Sequence, residues 1–309
     1  MTTNEAKPVG IVGLGNMGGR IAARLAEEGH DVWGYDADPS LGAERGLRTT
    51  STLRELVEGS DLIFLSLPDS KVVETVVRGE EGIIACCHDG QVVVDLSTAS
   101  PASTIELHGD LRRVGVEFLD AGVSGGAAAA EKGTLAIMVG GSAEALERAR
   151  PTMDGFSSKV FHMGAPGAGH TTKLLNNFLN AVTLAATSEV MVAGRKAGLD
   201  LEQLVDVLNV SSGASFATAN RFPNIVRGDY MKGGLTNRLQ MKDVALYLEL
   251  VGELGVPSLN AAGPTASFGL ALQLGYGDDI SNRVVDAIGD VAGGVRVSDG
   301  GPGRTDPRT

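Results

Sequence analysis

The sequence predicts an α/β fold: an N-terminal, doubly wound, mostly parallel sheet, followed by an all-helical C-terminal domain that a long helix links to it. In the first half of the 309 residues, short apolar runs alternate with segments of helical periodicity, a pattern typical of βαβ units. After Pro166 the pattern becomes helical only. We therefore expect a sheet domain at residues 1–164, a helical domain at 165–297, and a disordered tail rich in Gly, Pro and charge at 298–309.

The predicted strands are seven mostly apolar runs. They are Val9–Val12, Asp31–Tyr35, Asp61–Leu67, Val92–Leu96, Val116–Ala121, Leu135–Val139 and Val160–Met163. Helix signals lie between them. Gly29 ends the first helix, Thr52 and Glu55 form a capping box, and Pro101 stands at the first position of a later helix.

The second half opens with an uninterrupted helical pattern from Gly167 to Ala197. About 30 residues at 1.5 Å each give a helix about 45 Å long. Large apolar residues occur on almost every side of it, which predicts a buried helix. We also expect helices after the cap residue Asp200 and over Asn237–Leu254 and Asn260–Leu274.

The composition excludes several classes of function. The net charge of −12 and the aromatic content of 4% argue against nucleic acid and anionic membranes as partners. No apolar run is long enough for a transmembrane helix, and Met1 to Pro8 lacks a signal-peptide pattern. Cys86 and Cys87 are adjacent, so neither a disulfide nor a zinc site is expected, and the five histidines lack metal spacing. We predict no metal and a reducing, cytoplasmic setting.

A glycine-rich motif carries the most specific chemistry. It reads Gly13-Leu14-Gly15-Asn16-Met17-Gly18, follows a predicted strand and opens a predicted helix. Asp36 comes 18 residues later, at the end of the next strand, which completes the context of a Rossmann-type dinucleotide site. Gly13 would allow the tight turn, and Gly15 would let a pyrophosphate approach the backbone. Gly18 would let the helix pack closely on the sheet.

The residues after the second strand favour NAD over NADP. Asp36 can accept hydrogen bonds from ribose hydroxyls, and Asp38 adds a second negative charge. No Lys or Arg follows before Arg45, so a 2′-phosphate would meet like charge.

Five blocks of the chain together resemble the β-hydroxyacid dehydrogenase family, of the 3-hydroxyisobutyrate dehydrogenase-like type. The blocks are Gly10–Gly18, Asp95-Leu96-Ser97-Thr98 with Pro101, Asp120–Gly126 continuing to Leu135, Gly167-Ala168-Gly169 with Lys173 and Asn176-Asn177, and Lys242-Asp243. They span residues 10 to 243 in the family's order. The resemblance implies a C-terminal domain like that of 6-phosphogluconate dehydrogenase.

The resemblance also implies roles for single residues. Lys173 matches the family's catalytic lysine, and Asn177 stands one helical turn further on. The substrate-binding positions are Ser124, Gly125, Gly126 and Asn177. The positions that line the cofactor are the glycine-rich motif, Asp36, Leu67, Pro68, Thr98 and Lys242. The family often has Pro where this chain has Gly122, a departure that removes no functional group.

The resulting prediction is an oxidoreductase that transfers a hydride between NAD and a short β-hydroxy acid. Candidate substrates are 3-hydroxyisobutyrate, glycerate or tartronate semialdehyde, serine, and threonate, in either direction. Two alternatives are an imine reductase on the same fold, against which Lys173 argues, and a non-catalytic NAD-binding protein. Arg221 is either a surface residue or a partner for a second acidic group of the substrate, and His170 receives no role.

The long apolar helix also predicts assembly. The helical domain has few other helices to cover it, so we expect a homodimer or a homotetramer built from dimers. The resembled family implies the same.

Overall fold

The structure is a computed structural model that describes residues 7–43, 45–231 and 234–298. The chain divides into two compact units, Met1–Leu174 and Leu175–Thr309. This division falls inside the long helix, because its first turns pack against the sheet. The domain boundary between residues 164 and 165 stays a prediction. Apart from Ser298, the predicted tail lies outside the described residues.

The first unit contains the predicted sheet. Its strands are β1 (Val9–Val12), β2 (Val32–Tyr35), β3 (Leu62–Leu65), β4 (Val92–Asp95), β5 (Glu117–Ser124), β6 (Leu135–Gly140) and β7 (Ser157–Gly164). They are hydrogen-bonded in the order β2-β1-β3-β4-β5-β6-β7, and only the β5–β6 pair is antiparallel. The mostly parallel sheet is thus confirmed. The chain reverses its direction of winding at β1, so the switch point lies between β1 and β3.

Both faces of this sheet are covered, as a doubly wound fold requires. Alternate strand residues supply two separate apolar clusters. Ile11 and Phe64 belong to one cluster, whereas Val12, Ile63 and Leu65 belong to the other. The helices of this unit are α1 (Gly18–Glu27), α2 (Ser40–Ala43), α3 (Leu53–Gly59), α4 (Ser70–Arg78), α5 (Ile83–Cys86), α6 (Pro101–Arg113), α7 (Gly126–Glu131) and α8 (Ala143–Asp154).

The local signals for helix ends are confirmed. Gly29 has φ +90° just after α1, and Pro101 is the first residue of α6. The Thr52 hydroxyl accepts a hydrogen bond from the Glu55 N–H at 3.1 Å. The Glu55 carboxylate reaches back to the N–H of Ser51 at 2.9 Å, one residue earlier than an ideal capping box requires.

The long helix, α9 (Ala168–Lys196), runs from the first unit into the second. The second unit then continues with α10 (Leu201–Asn209), α11 (Phe222–Ile225), α12 (Asn237–Glu253), α13 (Ala262–Gln273) and α14 (Val284–Val291). Short turns join them: a π-helical turn at Ala217–Arg221 and 3₁₀ turns at Leu259–Ala261 and Ser281–Arg283. Its core includes Leu184, Met191, Phe222, Val244 and Phe268. The all-helical second half is confirmed.

The prediction that α9 is buried on almost every side is wrong for part of its surface. Leu184 and Met191 are buried, but Leu175, Leu179 and Val190 are 45%, 64% and 44% exposed in the single chain. Apolar residues all around a helix indicate that it will be covered, but not whether the cover comes from the same chain.

Within the described ranges, none of the helices combines the length and the apolar character that a membrane span needs. Among the same residues, no group of three or more His, Cys, Asp or Glu side chains is placed to hold a metal ion. Cys86 and Cys87 are free thiols, and burial raises the pKa of both.

Candidate active site

The predicted site residues of the first unit, except Lys173, follow strand ends along one edge of the sheet, whereas the predicted cofactor residue Lys242 lies on α12. Strands β1 to β5 are parallel, so their carboxyl ends meet at the same edge, where open α/β sheets bind ligands. The residues that follow these strand ends are the Gly13–Gly18 loop after β1, Asp36 after β2, Leu67 and Pro68 after β3, Thr98 after β4, and Gly125 and Gly126 after Ser124 of β5.

The glycine-rich loop has the geometry that each glycine was expected to allow. Gly13 has φ +93°, and a side chain there would collide with the carbonyl oxygen of Ser66. A Cβ on Gly18 would collide with the carbonyl oxygen of Gly13, so only glycine lets α1 start this close to the turn. Among the described residues, no atom lies within 4 Å of the position that a Cβ on Gly15 would take. This open space above bare backbone fits the pyrophosphate of a dinucleotide.

Asp36 connects the end of β2 to this loop. Its carboxylate accepts hydrogen bonds from the N–H of Leu14 at 2.7 Å and from the N–H of Asp38 at 2.9 Å. It also borders a cavity of about 350 Å³. The described residues that line this cavity are Leu14, Tyr35, Asp36, Ala37, Asp38, Pro39, Gly42, Thr49, Thr50 and Ser51, with two carboxylates and no Lys or Arg.

The charge of this cavity is negative at neutral pH. Hydrogen bonds from the hydroxyl and the N–H of Ser40 lower the pKa of Asp38. The nearby Arg48 is engaged elsewhere, since its guanidinium lies 4.5 Å from the Trp33 ring centroid and 3.6 Å from the Asp31 carboxylate. Arg45 lies with its side chain against Gly19, in the first turn of α1.

A hydrogen-bond chain joins the loops that follow β3 and β4. The Leu67 N–H donates to the Ser97 hydroxyl at 2.9 Å, and the Ser97 N–H donates to the Asp95 carboxylate at 2.9 Å. Pro68 is exposed and Thr98 is half-buried beside this chain. The two loops are thereby held together at the edge of the sheet.

Lys173 lies against β5. A Cβ placed on Gly122 would be 2.6 Å from the Cβ and 3.0 Å from the Cγ of Lys173. Gly122 and Ser124 stand on the same face of the strand because side chains alternate. Gly125 and Gly126 follow with φ +128° and +71°, values that glycine adopts readily. The lysine and the Ser-Gly-Gly turn are therefore neighbours, and the bare Gly122 permits the close approach.

A buried polar cluster next to Lys173 was not assigned a role from the sequence. Asp120 accepts the N–H groups of Gly167 and His170 at 2.8 Å each, which caps the start of α9. The buried His170 ring is 2.7 Å from the Thr104 hydroxyl and 3.3 Å from the carbonyl oxygen of Asp95. Burial raises the pKa of Asp95, and the nearby His170 opposes that shift. The only sequence signal for this cluster was that Asp95 and Asp120 each begin a motif that resembles the family.

The second unit contains a separate polar group. Asn177 is buried, and its side-chain N–H donates to the Asp243 carboxylate at 2.6 Å. The ammonium of Lys242 is 3.3 Å from the other oxygen of Asp243. The buried Asp243 therefore joins two predicted site residues. Sequence reasoning named its position but gave it no role.

Comparison with protein families covers nearly the whole chain. Residues 8–164 match the family described as the NAD binding domain of 6-phosphogluconate dehydrogenase. Residues 167–287 match the family described as NAD-binding of NADP-dependent 3-hydroxyisobutyrate dehydrogenase. The chain belongs to the β-hydroxyacid dehydrogenase family. It is an oxidoreductase with an NAD(P)-binding domain, as its membership of this enzyme family and its motifs require.

Individual members of the β-hydroxyacid dehydrogenase family align over most of their length. A 2-(hydroxymethyl)glutarate dehydrogenase from Eubacterium barkeri is 34% identical over 295 residues, which cover 94% of this chain and 98% of the relative. An NAD-dependent L-serine dehydrogenase from Pseudomonas aeruginosa is 36% identical over 79% of this chain and 85% of its own. The solved structure of Mycobacterium tuberculosis 3-hydroxyisobutyrate dehydrogenase with L-serine superposes with a TM-score of 0.81 at 29% identity, covering 92% of this chain and 99% of that one.

Proposed function

We propose that this enzyme transfers a hydride between NAD and a small β-hydroxy acid, with Lys173 as the group that moves the proton. The observation that carries the proposal is the packing of Lys173 on β5, beside Ser124 and at the edge of the sheet that bears the dinucleotide motif. The relatives are named for a hydroxymethylglutarate, for L-serine and for 3-hydroxyisobutyrate, which supports a small hydroxy acid as the substrate class.

The residues present fit a dinucleotide. When bound, NAD supplies the carbon that accepts the hydride. The N–H groups of the Gly13-Leu14-Gly15-Asn16-Met17-Gly18 loop would hold its pyrophosphate, and Asp36 would accept hydrogen bonds from the adenosine ribose. Leu67, Pro68, Thr98 and Lys242 would line the rest of the cofactor. The two carboxylates of the cavity at β2 favour NAD over NADP, since a 2′-phosphate there would be repelled.

The substrate carboxylate fits the turn at the end of β5. Ser124 offers a hydroxyl, and Gly125 and Gly126 offer bare N–H groups, which together suit an anion. Asn177 contributes from α9. The Asp243 carboxylate accepts one of its side-chain N–H bonds and so leaves the second N–H for the substrate.

Lys173 would hydrogen-bond the reacting oxygen and exchange a proton with it. In the reduction direction, the ammonium donates a proton to the carbonyl oxygen as the hydride arrives, which needs no unusual pKa. In the oxidation direction, the neutral amine accepts the hydroxyl proton. A free lysine has a pKa of about 10.4, and its protonated form is the one that serves the reduction direction.

The first test replaces the lysine. We expect Lys173→Ala to lower kcat by about 10²–10⁴, the range for loss of a general acid–base group, while NAD binding and folding persist. Lys159→Ala, an exposed lysine on β7, is the matched control. Steady-state NADH production on a panel of hydroxy acids measures kcat, and fluorescence titration measures NAD binding. A Lys173→Ala enzyme with more than about a tenth of the normal kcat would contradict the proposal, as would turnover of imines but of no hydroxy acid.

We further propose a homodimer or a homotetramer built from dimers, in the cytoplasm. The exposed leucines of α9 support the assembly, and the two free cysteines support a reducing compartment.

A further inference from the structure

A guanidinium without a counter-charge lies in the second unit. Arg221 ends the π-helical turn and is half-buried. Its side chain donates to the Asn282 amide oxygen at 2.6 Å, to the Ser281 hydroxyl at 3.3 Å and to the Asn180 amide oxygen at 3.0 Å. All three acceptors are neutral. Among the described residues, no carboxylate forms a hydrogen bond or an ion pair with this arginine.

Two other partly buried arginines of the same unit show the contrast. Arg283 forms an ion pair with Asp286 at 2.6 Å, and Arg296 pairs with Asp290. Burial disfavours both cations, but the carboxylates outweigh it, so the pKa of each arginine is raised. Burial lowers the pKa of Arg221 to about 10, and the Phe216 ring, whose centroid is 5.8 Å from the guanidinium carbon, carries no counter-charge. The residue is still a cation at neutral pH, held in a place that disfavours charge.

Such a cation is costly unless something else pairs with it. A guanidinium has five N–H donors, and three hydrogen bonds are made here. The Nε group of Arg221 is buried and makes none of them. Neutral acceptors position the group without cancelling its charge, which is the arrangement that an anion-binding site requires.

Asn180 connects Arg221 to α9, the helix that also carries Lys173. Asn180 follows Lys173 by seven residues and Asn177 by three, so all three lie on one stripe of α9. Seven residues at 1.5 Å each correspond to about 10 Å along the helix axis. Arg221 therefore contacts α9 about two helical turns beyond Lys173.

We infer that Arg221 binds a second carboxylate, at the end of the substrate remote from the carbon that exchanges hydride, so that the preferred substrates are hydroxy dicarboxylic acids. The inference rests on the proposed function, because it assumes that Lys173 marks the reacting end. The guanidinium charge and the Nη2 N–H that its neutral partners leave over would bind this carboxylate, and a neutral side chain offers no such charge.

The experiment compares matched pairs of β-hydroxy acids that differ only at the remote end, where one carries a carboxylate and the other a methyl ester or an amide. The unmodified enzyme should prefer the dicarboxylic member of each pair in kcat/KM. Arg221→Met should lower kcat/KM for the dicarboxylic acid by about 10–100-fold, through KM, and change it less than about threefold for the neutral analogue. Arg221→Lys should recover part of the loss.

Two further measurements keep the outcomes distinct. Arg238→Met, which removes an exposed arginine paired with Asp278, should leave both substrates unchanged. Thermal shifts should show that the dicarboxylic acid with NAD stabilises the unmodified enzyme but not Arg221→Met. An equal loss of activity on both members of a pair, or none on either, would overturn the inference and leave the proposed function intact. If no hydroxy acid is turned over, the proposed function itself fails.

Discussion

At the scale of single residues, we predict that the choice between NAD and NADP depends on Asp36. Its carboxylate already accepts the Leu14 N–H, so it is positioned at the mouth of the glycine-rich loop. We expect Asp36→Ala to weaken NAD binding by about 10–100-fold, since hydrogen bonds to a charged group contribute about 1.5–3 kcal/mol. The difference in affinity between NAD and NADP should become smaller. Asp38→Ala, at the exposed neighbour, should leave NAD binding nearly unchanged. Titration of both cofactors measures this, and a preference of the unmodified enzyme for NADP would show that the interpretation of β2 is wrong.

A second residue-scale prediction concerns the buried Asp95. Burial raises its pKa above the ordinary value of 3.8, so folding favours the protonated carboxyl. The contribution of the protonated Asp95 carboxyl to the free energy of unfolding is fully present below about pH 3.8. It is lost as the pH rises through the raised pKa. Asp95→Asn keeps a neutral side chain at every pH. The variant should therefore gain in free energy of unfolding, relative to the unmodified enzyme, as the pH is raised from about 4 to 8.

Urea unfolding at several pH values checks the Asp95 prediction. Asp110 serves as a control for which the pH dependence should have the opposite sign. Hydrogen bonds from the Arg78 guanidinium lower the pKa of this surface carboxyl. Asp110→Asn should lose rather than gain relative stability as the pH rises. A difference between Asp95→Asn and the unmodified enzyme that does not change with pH would refute the argument.

At the scale of elements, the packing of α9 on the sheet depends on Gly169 as well as on Gly122. A Cβ on Gly169 would be 2.5 Å from the carbonyl oxygen of Met138 and 2.8 Å from the nitrogen of Gly140, and backbone atoms cannot move aside cheaply. We expect Gly169→Ala to lower the free energy of unfolding by about 1–3 kcal/mol. Gly109→Ala in α6 is the control, because no described atom lies within 4 Å of its Cβ position. That variant should be neutral or stabilising by up to about 1 kcal/mol. Equal effects of the two substitutions would mean that the close approach is unimportant.

At the scale of the whole molecule, one apolar stripe of α9 remains uncovered in the single chain. Leu175, Leu179, Ala186 and Val190 recur along it at helical spacing, and all four are exposed. A symmetric partner would cover it most simply. Light scattering at micromolar concentration should give at least twice the mass of one chain, 31.8 kDa. Leu179→Glu should shift the assembly towards smaller species, whereas Val114→Glu, at the end of α6, should not. A mass of 31.8 kDa for the unmodified protein would end the proposal.

The sequence by itself determined the features that are decided within a few residues. The predicted apolar runs form strands, and Thr52 and Asp200 cap helices. The glycine-rich motif forms a turn that leads into α1, and Asp36 lies at the end of β2, as their spacing predicts. Each of these depends on steric limits or hydrogen bonds along a short stretch of chain, so the pattern of neighbours is enough to predict it. The carboxyl edge of the sheet then followed from the parallel order of the strands.

Only the tertiary structure decided which distant residues meet. His170 reaches Thr104 across 66 positions, Asn177 reaches Asp243 across 66, and Arg221 reaches Asn282 across 61. The contact of Gly122 with Lys173 is of the same kind. Such contacts depend on how whole elements pack, and a single sequence contains no periodicity or spacing that encodes them. For the same reason, the sequence predicts that α9 will be covered, but it does not say by what. The exposed stripe of α9 and the lack of a carboxylate beside Arg221 are seen only in the folded structure, where the neighbours of each residue are known.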